Sequence, residues 1–240
     1  YIMHRRDRHK RKGGGAILYV KEALKVSMIS DIDAGFQESV WCMIELKKST
    51  LLVGLCYRSP NSSDENNAKL LRAFENLANH KEMTHLVIMG DFNYPEIDFE
   101  SNTVDCSNES AAAMFLKKTQ DMVLVQNVTE VTRIREGQQP SLLDYILTSE
   151  ENLVENLMYE SPIGKSDHVC LSWIVLLESS TYQGIQQSMK FNYHKGDYDI
   201  INELLAATDW LNVMRIEEDS SVDVMWENFK AKLLELVNQY

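Results

Sequence analysis

Short apolar runs of five to eight residues alternate with longer polar stretches along most of the chain. Ala16–Val20 reads as a strand. Glu38–Leu46 and Thr50–Tyr57 read as two strands joined by the polar turn Lys47-Lys48-Ser49, a hairpin signature. Asn61-Ser62-Ser63-Asp64 offers several helix caps, and Leu70, Leu71, Phe74 and Leu77 recur at helical spacing, which predicts a helix over Asn67–Leu77. That helix leads into the apolar run His85–Met89, a short buried strand. Asn108–Val123 predicts a second helix with Ala112, Phe115, Leu116 and Met122 on its apolar face. Leu142–Leu147, Leu153–Met158 and His168–Leu177 complete the strands. Strands in hairpins with a few helices between them suit an α+β fold, two packed sheets flanked by helices.

The pattern changes after Glu178. Ser179–Gln187 is polar and reads as a linker. Asp197–Leu211 and Ser221–Val237 read as helices anchored by Trp210, Trp226, Phe229, Leu233 and Leu236. The expected organisation is therefore a main domain over 1–178 and a linker with a helical tail over 179–240.

Composition agrees with a folded core: 44% of residues are apolar and 25% charged. The longest apolar stretches are too short to span a bilayer, and no charged-then-apolar leader opens the chain, so secretion and membrane anchoring are not expected. The chain begins with Tyr1 rather than Met and reads as a fragment or a processed product. Cys42, Cys56, Cys106 and Cys170 form no CxxC pair, which predicts free thiols in a reducing, intracellular setting and gives no sign of a zinc site.

Charge is uneven. The net value is −12, yet residues 1–12 carry six Lys/Arg against one Asp, a balance of +5. Residues 191–240 carry −6, which leaves −11 for the body of the chain. The basic start reads as an irregular arm or as a loop that contacts phosphate. Gly13-Gly14-Gly15 reads as a turn, because no dinucleotide or P-loop pattern follows it. An acidic body suits phosphate chemistry where a divalent cation neutralises clustered carboxylates.

Polar, titratable groups stand at several strand ends, where loops gather into sites. Gly90-Asp91-Phe92-Asn93 closes the run His85–Met89. Tyr57-Arg58-Ser59-Pro60 closes the second hairpin strand. Ser141-Leu142-Leu143-Asp144 opens one strand, and Ser166-Asp167-His168 opens the last. Taken singly, each also suits an ordinary turn or edge.

In this order the motifs resemble the endonuclease/exonuclease/phosphatase family, which includes apurinic/apyrimidinic endonucleases and deoxyribonuclease I. They are most similar to the endonuclease domain of non-LTR retrotransposons, whose pattern stands here as Gly13–Val20, Tyr57–Pro60, Gly90–Asn93 and Ser166–His168. The resemblance spans about residues 7–178. Phe191-Asn192-Tyr193 and the tryptophan-bearing helices resemble, more weakly, the spacer before a reverse transcriptase.

That resemblance implies a four-layer, deoxyribonuclease I-like sandwich and hydrolysis of DNA phosphodiesters with Mg²⁺ or Mn²⁺, beside a reverse transcriptase, in the nucleus. It implies that Asp91 activates water and that Asn93 and Tyr57 hold the phosphate. His168 would be its cationic partner, oriented by Asp144. Asp167 would bind metal, Ser141 and Ser166 would support these groups, and Thr132 and Arg58 would contact phosphate. The family also carries an Asn and a metal-binding Glu on two strands ahead of the basic loop. Here the chain starts at that loop, and Glu22 and Glu38 fall after the glycines, so the first two strands and the principal metal ligand are read as missing. Two alternatives stay open: a non-catalytic remnant, and an enzyme of the same fold acting on a small phosphoester.

Overall fold

The computed structural model describes residues 1–8, 14–177, 197–214 and 221–239. The chain divides into two compact units, Tyr1–Ser188 and Met189–Tyr240. The expected linker Ser179–Gln187 and the segment Phe191-Asn192-Tyr193 lie outside the described residues.

The first unit is built on β4 (Ser39–Glu45) and β5 (Thr50–Tyr57), an antiparallel hairpin closed by a bond from Leu46 N–H to Ser49 O, 2.9 Å. The chain crosses through α1 (Asp64–Asn76), so that β6 (His85–Asp91) lies parallel to β5. With β3 (Lys25–Met28), β9 (Val125–Gln126) and β10 (Asp144–Thr148) these strands form a six-stranded mixed sheet in the order β3-β4-β5-β6-β10-β9.

Both faces of this sheet are covered, which is why its central strands read as almost continuous apolar runs. Leu52 and Cys56 of β5, with Leu86 and Ile88 of β6, face a core filled by Leu70 and Phe74 of α1 and by Phe115 of α2 (Ala111–Asp121). The alternate residues Leu51, Val53 and Val87 face the opposite way. Their cover consists of two separate ribbons: β1 (Ile2–Arg6) with β2 (Ala16–Val20), and β11 (Val154–Glu160) with β12 (Cys170–Val175). Leu18 of the first ribbon and Trp173 and Val175 of the second pack on the same apolar cluster. Between them lies an apolar cavity of about 350 Å³, floored by Val53, Val87 and Met89. The α+β sandwich is thus the expected one, with its second sheet layer supplied by ribbons. β7 (Ile97–Asp98) and β8 (Thr103–Val104) form a minor hairpin.

Both helices start where a serine caps them. Ser63 accepts from Asn66 N–H, and Asp64 and Glu65 occupy the positive end of α1, so it begins three residues before the predicted start. Ser110 accepts from Ala113 N–H and opens α2. Val123, in the left-handed region at φ 53°, lies just past its end.

One expectation is corrected. Residues 2–6 are not irregular; they pair with β2 in unbroken register from Ile2↔Val20 to Arg6↔Ala16. Nor are the arginines here free for phosphate: Arg5 pairs with Asp7, Arg6 with Asp33 and Arg8 with Glu38. A charged edge strand does not show the apolar alternation by which strands are read, and its partners lie up to thirty residues away.

In the second unit, Trp210 of α4 (Trp210–Met214) donates its Nε1–H to Leu205 O of α3 (Tyr198–Ala207) at 3.1 Å, and its ring lies 5.3 Å from Phe229 of α5 (Val222–Gln239), which lies 5.7 Å from Trp226. No helix among the described residues is long and apolar enough to cross a membrane.

Candidate active site

Strand register creates the site. Asp91 pairs with Tyr57 across the parallel ladder and with Asp144 across the antiparallel one. Tyr57 N–H donates to Glu38 O at 2.8 Å, one step before β4. Registered residues project from the same face of a sheet. Glu38, Tyr57, Asp91 and Asp144 therefore form a row across four strands, on the ribbon side, just past the apolar residues Val87 and Met89.

Asp91 is held by its own loop. Gly90 adopts φ 143°, and a Cβ there would lie 1.8 Å from Cys56 O, so only glycine lets β6 approach β5 this closely. Phe92 turns inward, fully buried, and stacks on Tyr145 at 5.3 Å. Asn93, at φ 51°, folds back: both its backbone N–H and its Nδ2 donate to Asp91 Oδ1, at 3.2 and 2.7 Å. Nδ2 also donates to Arg58 O at 2.8 Å. The Asn93 amide thus orients the carboxylate through Oδ1 and leaves Asp91 Oδ2 outside these bonds. Burial, then the neighbouring Asp144, pushes the Asp91 carboxyl up to about 6, while His168 and Asn93 act the other way.

His168 arrives from the loop before β12, and its Nδ1 lies 2.7 Å from Asp144 Oδ2. That hydrogen bond raises the imidazole above its ordinary value, opposed by burial and supported by the charges of Asp144, Asp91 and Asp167. The Tyr57 phenol is also raised, first by burial and then by Asp91 and Glu38, so it stays a protonated donor at neutral pH. Among the described residues, Asp91, Asp144 and His168 form the group whose ligand atoms all lie within 4.8 Å of one another.

The remaining sequence-derived candidates are placed differently. Arg58 is buried: its Nε donates to Asn67 Oδ1, Nη1 donates to Phe92 O and Asn93 O, and the guanidinium lies 3.9 Å from the Tyr94 ring centre. It locks the loop and has no face left for phosphate. Asp167 is not in the group with Asp91; Arg133 Nε donates to its Oδ2 at 3.0 Å. Against the upward push of desolvation, a backbone hydrogen bond, Arg133 and His168 hold Asp167 below the usual carboxylate range. Ser166 Oγ accepts from His168 N–H and shapes the turn. Ser141 contributes its backbone, bonded to Thr132 and Arg133, and Thr132 is fully buried.

Sequence reading missed Arg8, Glu38 and Arg133 as neighbours of the site. Glu38 is 6% exposed and carries Arg8 on its carboxylate. Gly14 makes room for this pair, since a Cβ there would lie 2.7 Å from Glu38 Oε1. The triple glycine was the one available signal. Arg133 carries none, because its meaning depends on the distant Asp167.

The sequence profile of a family described as endonuclease-reverse transcriptase matches residues 51–172. No curated protein matches the chain in sequence. Among solved structures it is similar to the endonuclease domain of TRAS1, a telomere-specific non-LTR retrotransposon. Identity there is 15%, with 67% of this chain and 71% of that one covered at a TM-score of 0.52. It is also similar to an endonuclease/exonuclease/phosphatase family protein from Leptotrichia buccalis C-1013-b: identity 16%, coverage 73% and 71%, TM-score 0.47. A third similar structure is the 3′ phosphatase NExo from Neisseria: identity 13%, coverage 66% and 72%, TM-score 0.43.

Proposed function

The chain belongs to the endonuclease/exonuclease/phosphatase family, and from that premise we propose that it is a metal-dependent DNA endonuclease from a non-LTR retrotransposon. The observation that carries the reading is the row Tyr57, Asp91, Asp144 with His168 joined to Asp144. It combines a base, a phenolic donor and an imidazolium in one corner, which is what in-line attack on a phosphodiester requires. The endonuclease-reverse transcriptase description supports a reverse transcriptase as partner in the same element; a nuclear location belongs to the same proposal.

A divalent cation fits this donor set. Asp91 and Asp144 are adjacent, and Asp91 resists ionisation there, so a cation would relieve both. Mg²⁺ or Mn²⁺ would be held beside these two carboxylates through its own waters, several of which Mg²⁺ keeps, so that Asp91 Oδ2 stays open as a base. When bound, the ion supplies charge neutralisation at the phosphoryl oxygens. Asp167 would join only by exchanging Arg133.

The chain's own residues do the rest. Asp91 Oδ2 accepts a proton from the water that attacks phosphorus as the opposite P–O bond breaks, and the leaving oxygen takes its proton from solvent. His168, with Nδ1–H on Asp144, offers Nε2–H to a phosphoryl oxygen. Tyr57 offers its O–H to another. Asn93 keeps Asp91 aimed.

Nicking of supercoiled plasmid in Mg²⁺ or Mn²⁺ tests the proposal. Asp91→Ala and His168→Ala should each lower the rate by about 10²-fold or more, and a chelator should abolish it. Variants that nick as well as the parent would remove the assigned roles. Hydrolysis of an inositol phosphate but not of DNA would move the substrate to small phosphoesters. Inactivity towards both would leave a binding remnant.

A further inference from the structure

Thr132 lies in the irregular segment between β9 and β10 and is bonded on one side to the backbone that leads to Asp144 and on the other to the backbone just after His168. It is fully buried, with 0% exposure, so it touches no substrate. Its backbone N–H, its carbonyl and its hydroxyl oxygen are nevertheless engaged around the site. Its Oγ1 accepts from both Leu143 N–H, at 3.1 Å, and Asp144 N–H, at 3.0 Å. Its own N–H donates to Ser141 O at 3.0 Å, and its carbonyl accepts from Val169 N–H at 2.8 Å.

Consecutive N–H groups of an extended strand point in opposite directions. Two converging on one hydroxyl oxygen mark a bend, and that bend sits where β10 begins with Asp144. Phe92 N–H donates to Leu143 O at 2.9 Å, so the same bend also holds the loop after Asp91. One residue therefore bonds to the backbone beside Asp144 and to the backbone beside His168. Neighbouring bonds strengthen the bridge: Arg133 N–H donates to Ser141 O at 2.9 Å, and Ile134 N–H donates to Asp167 O at 2.8 Å. The Asp144–His168 hydrogen bond spans this same gap.

We infer that Thr132 is a positioning residue whose hydroxyl fixes the Asp144 backbone, and through it the Asp144–His168 pair. Its catalytic consequence rests on the nuclease reading above; its geometric consequence does not. A methyl or hydrogen in place of Oγ1 leaves two buried N–H groups without their acceptor, and the bend relaxes. Serine keeps the oxygen.

The experiment compares Thr132→Ser with Thr132→Ala, which differ only by that oxygen, and adds the near-isosteric Thr132→Val. Amide exchange and the proton spectrum are measured first, because neither needs catalysis. In the serine variant, Leu143 and Asp144 amides should exchange as in the parent, and the His168 Nδ1 proton should stay far downfield. In the alanine and valine variants both amides should exchange at least ~10-fold faster and the downfield proton should be lost, while Val53 and Val87 amides keep their protection. In the nicking assay, alanine and valine should lower kcat by about 10- to 100-fold with KM little changed, and serine should stay near the parent. Parent-like exchange and an unmoved His168 proton in alanine and valine would overturn the inference. So would a serine variant as impaired as alanine. A parent chain that does not nick DNA would count against the nuclease reading alone, and the exchange data would still decide for or against the role of Thr132.

Discussion

On the proposed reading, Asp91 stands where function and stability pull apart. Its carboxyl is raised from 3.8 to about 6, first by burial and then by Asp144. A raised carboxyl favours the protonated folded state, so this contribution to stability is full below the unfolded value near 3.8 and lost as pH rises through about 6. A tenfold change in a protonation equilibrium is worth about 1.4 kcal/mol, so above pH 7 the ionised group costs the metal-free fold about 1–3 kcal/mol. His168 is also raised: its protonated form stabilises below about 6.5 and loses that contribution at higher pH. Asp91→Asn keeps an acceptor for Asn93 and removes the charge. Urea denaturation at pH 8 without metal should find this variant more stable than the parent by about 1–3 kcal/mol, with the gain fading below pH 4, while nicking is lost. Equal stability changes at pH 8 and pH 4 would show that burial of charge is not the cost.

At the scale of elements, the site depends on how closely β6 lies against β5. Gly90→Ala must resolve a 1.8 Å clash with a backbone oxygen and a φ of 143°, so it should destabilise by about 3 kcal/mol or more and abolish activity. Gly137→Ala also sits at positive φ, 74°, but nothing lies within 4 Å of its added carbon; about 1 kcal/mol and unchanged nicking are expected. Thermal unfolding of the two variants separates close approach from conformation alone. The central elements were legible because their cause is local: β4, β5 and β6 carry their own apolar runs, and Ser63 and Ser110 cap helices three residues away. Asp91 and His168 were legible through short motifs. What escaped reading depends on pairing at long range. β1 shows no apolar alternation, the row from Glu38 to Asp144 exists only by register, and Arg58 reads as a phosphate contact until Asn67 and Tyr94 enclose it.

At the scale of the whole first unit, the sheet acts as a wall between two unequal covers. The helices α1 and α2 close one face around Phe74, Phe92 and Phe115. The ribbons cover the other face with an apolar cavity between them, and the site lies on that face. The body is acidic, and three basic residues at its start are neutralised by carboxylates, so a polyanionic substrate meets little free positive charge from them. A divalent cation at Asp91 and Asp144 would change this in two ways. It would reverse the local potential, and it would offset the cost of ionising Asp91. Ligand binding confined to the folded state stabilises by about 2.7 kcal/mol at 100 times the dissociation constant. For a unit of this size that corresponds to about 5–10 °C in Tm. Scanning calorimetry with increasing Mg²⁺ should show this rise in the parent, reversed by chelator, and most of it lost in Asp91→Asn and Asp144→Asn. A Tm indifferent to Mg²⁺, or one that rises equally in the variants, would place the cation elsewhere. On the proposed reading, a fold weakened by two adjacent carboxylates would be restored by the same ion that the proposed hydrolysis would use.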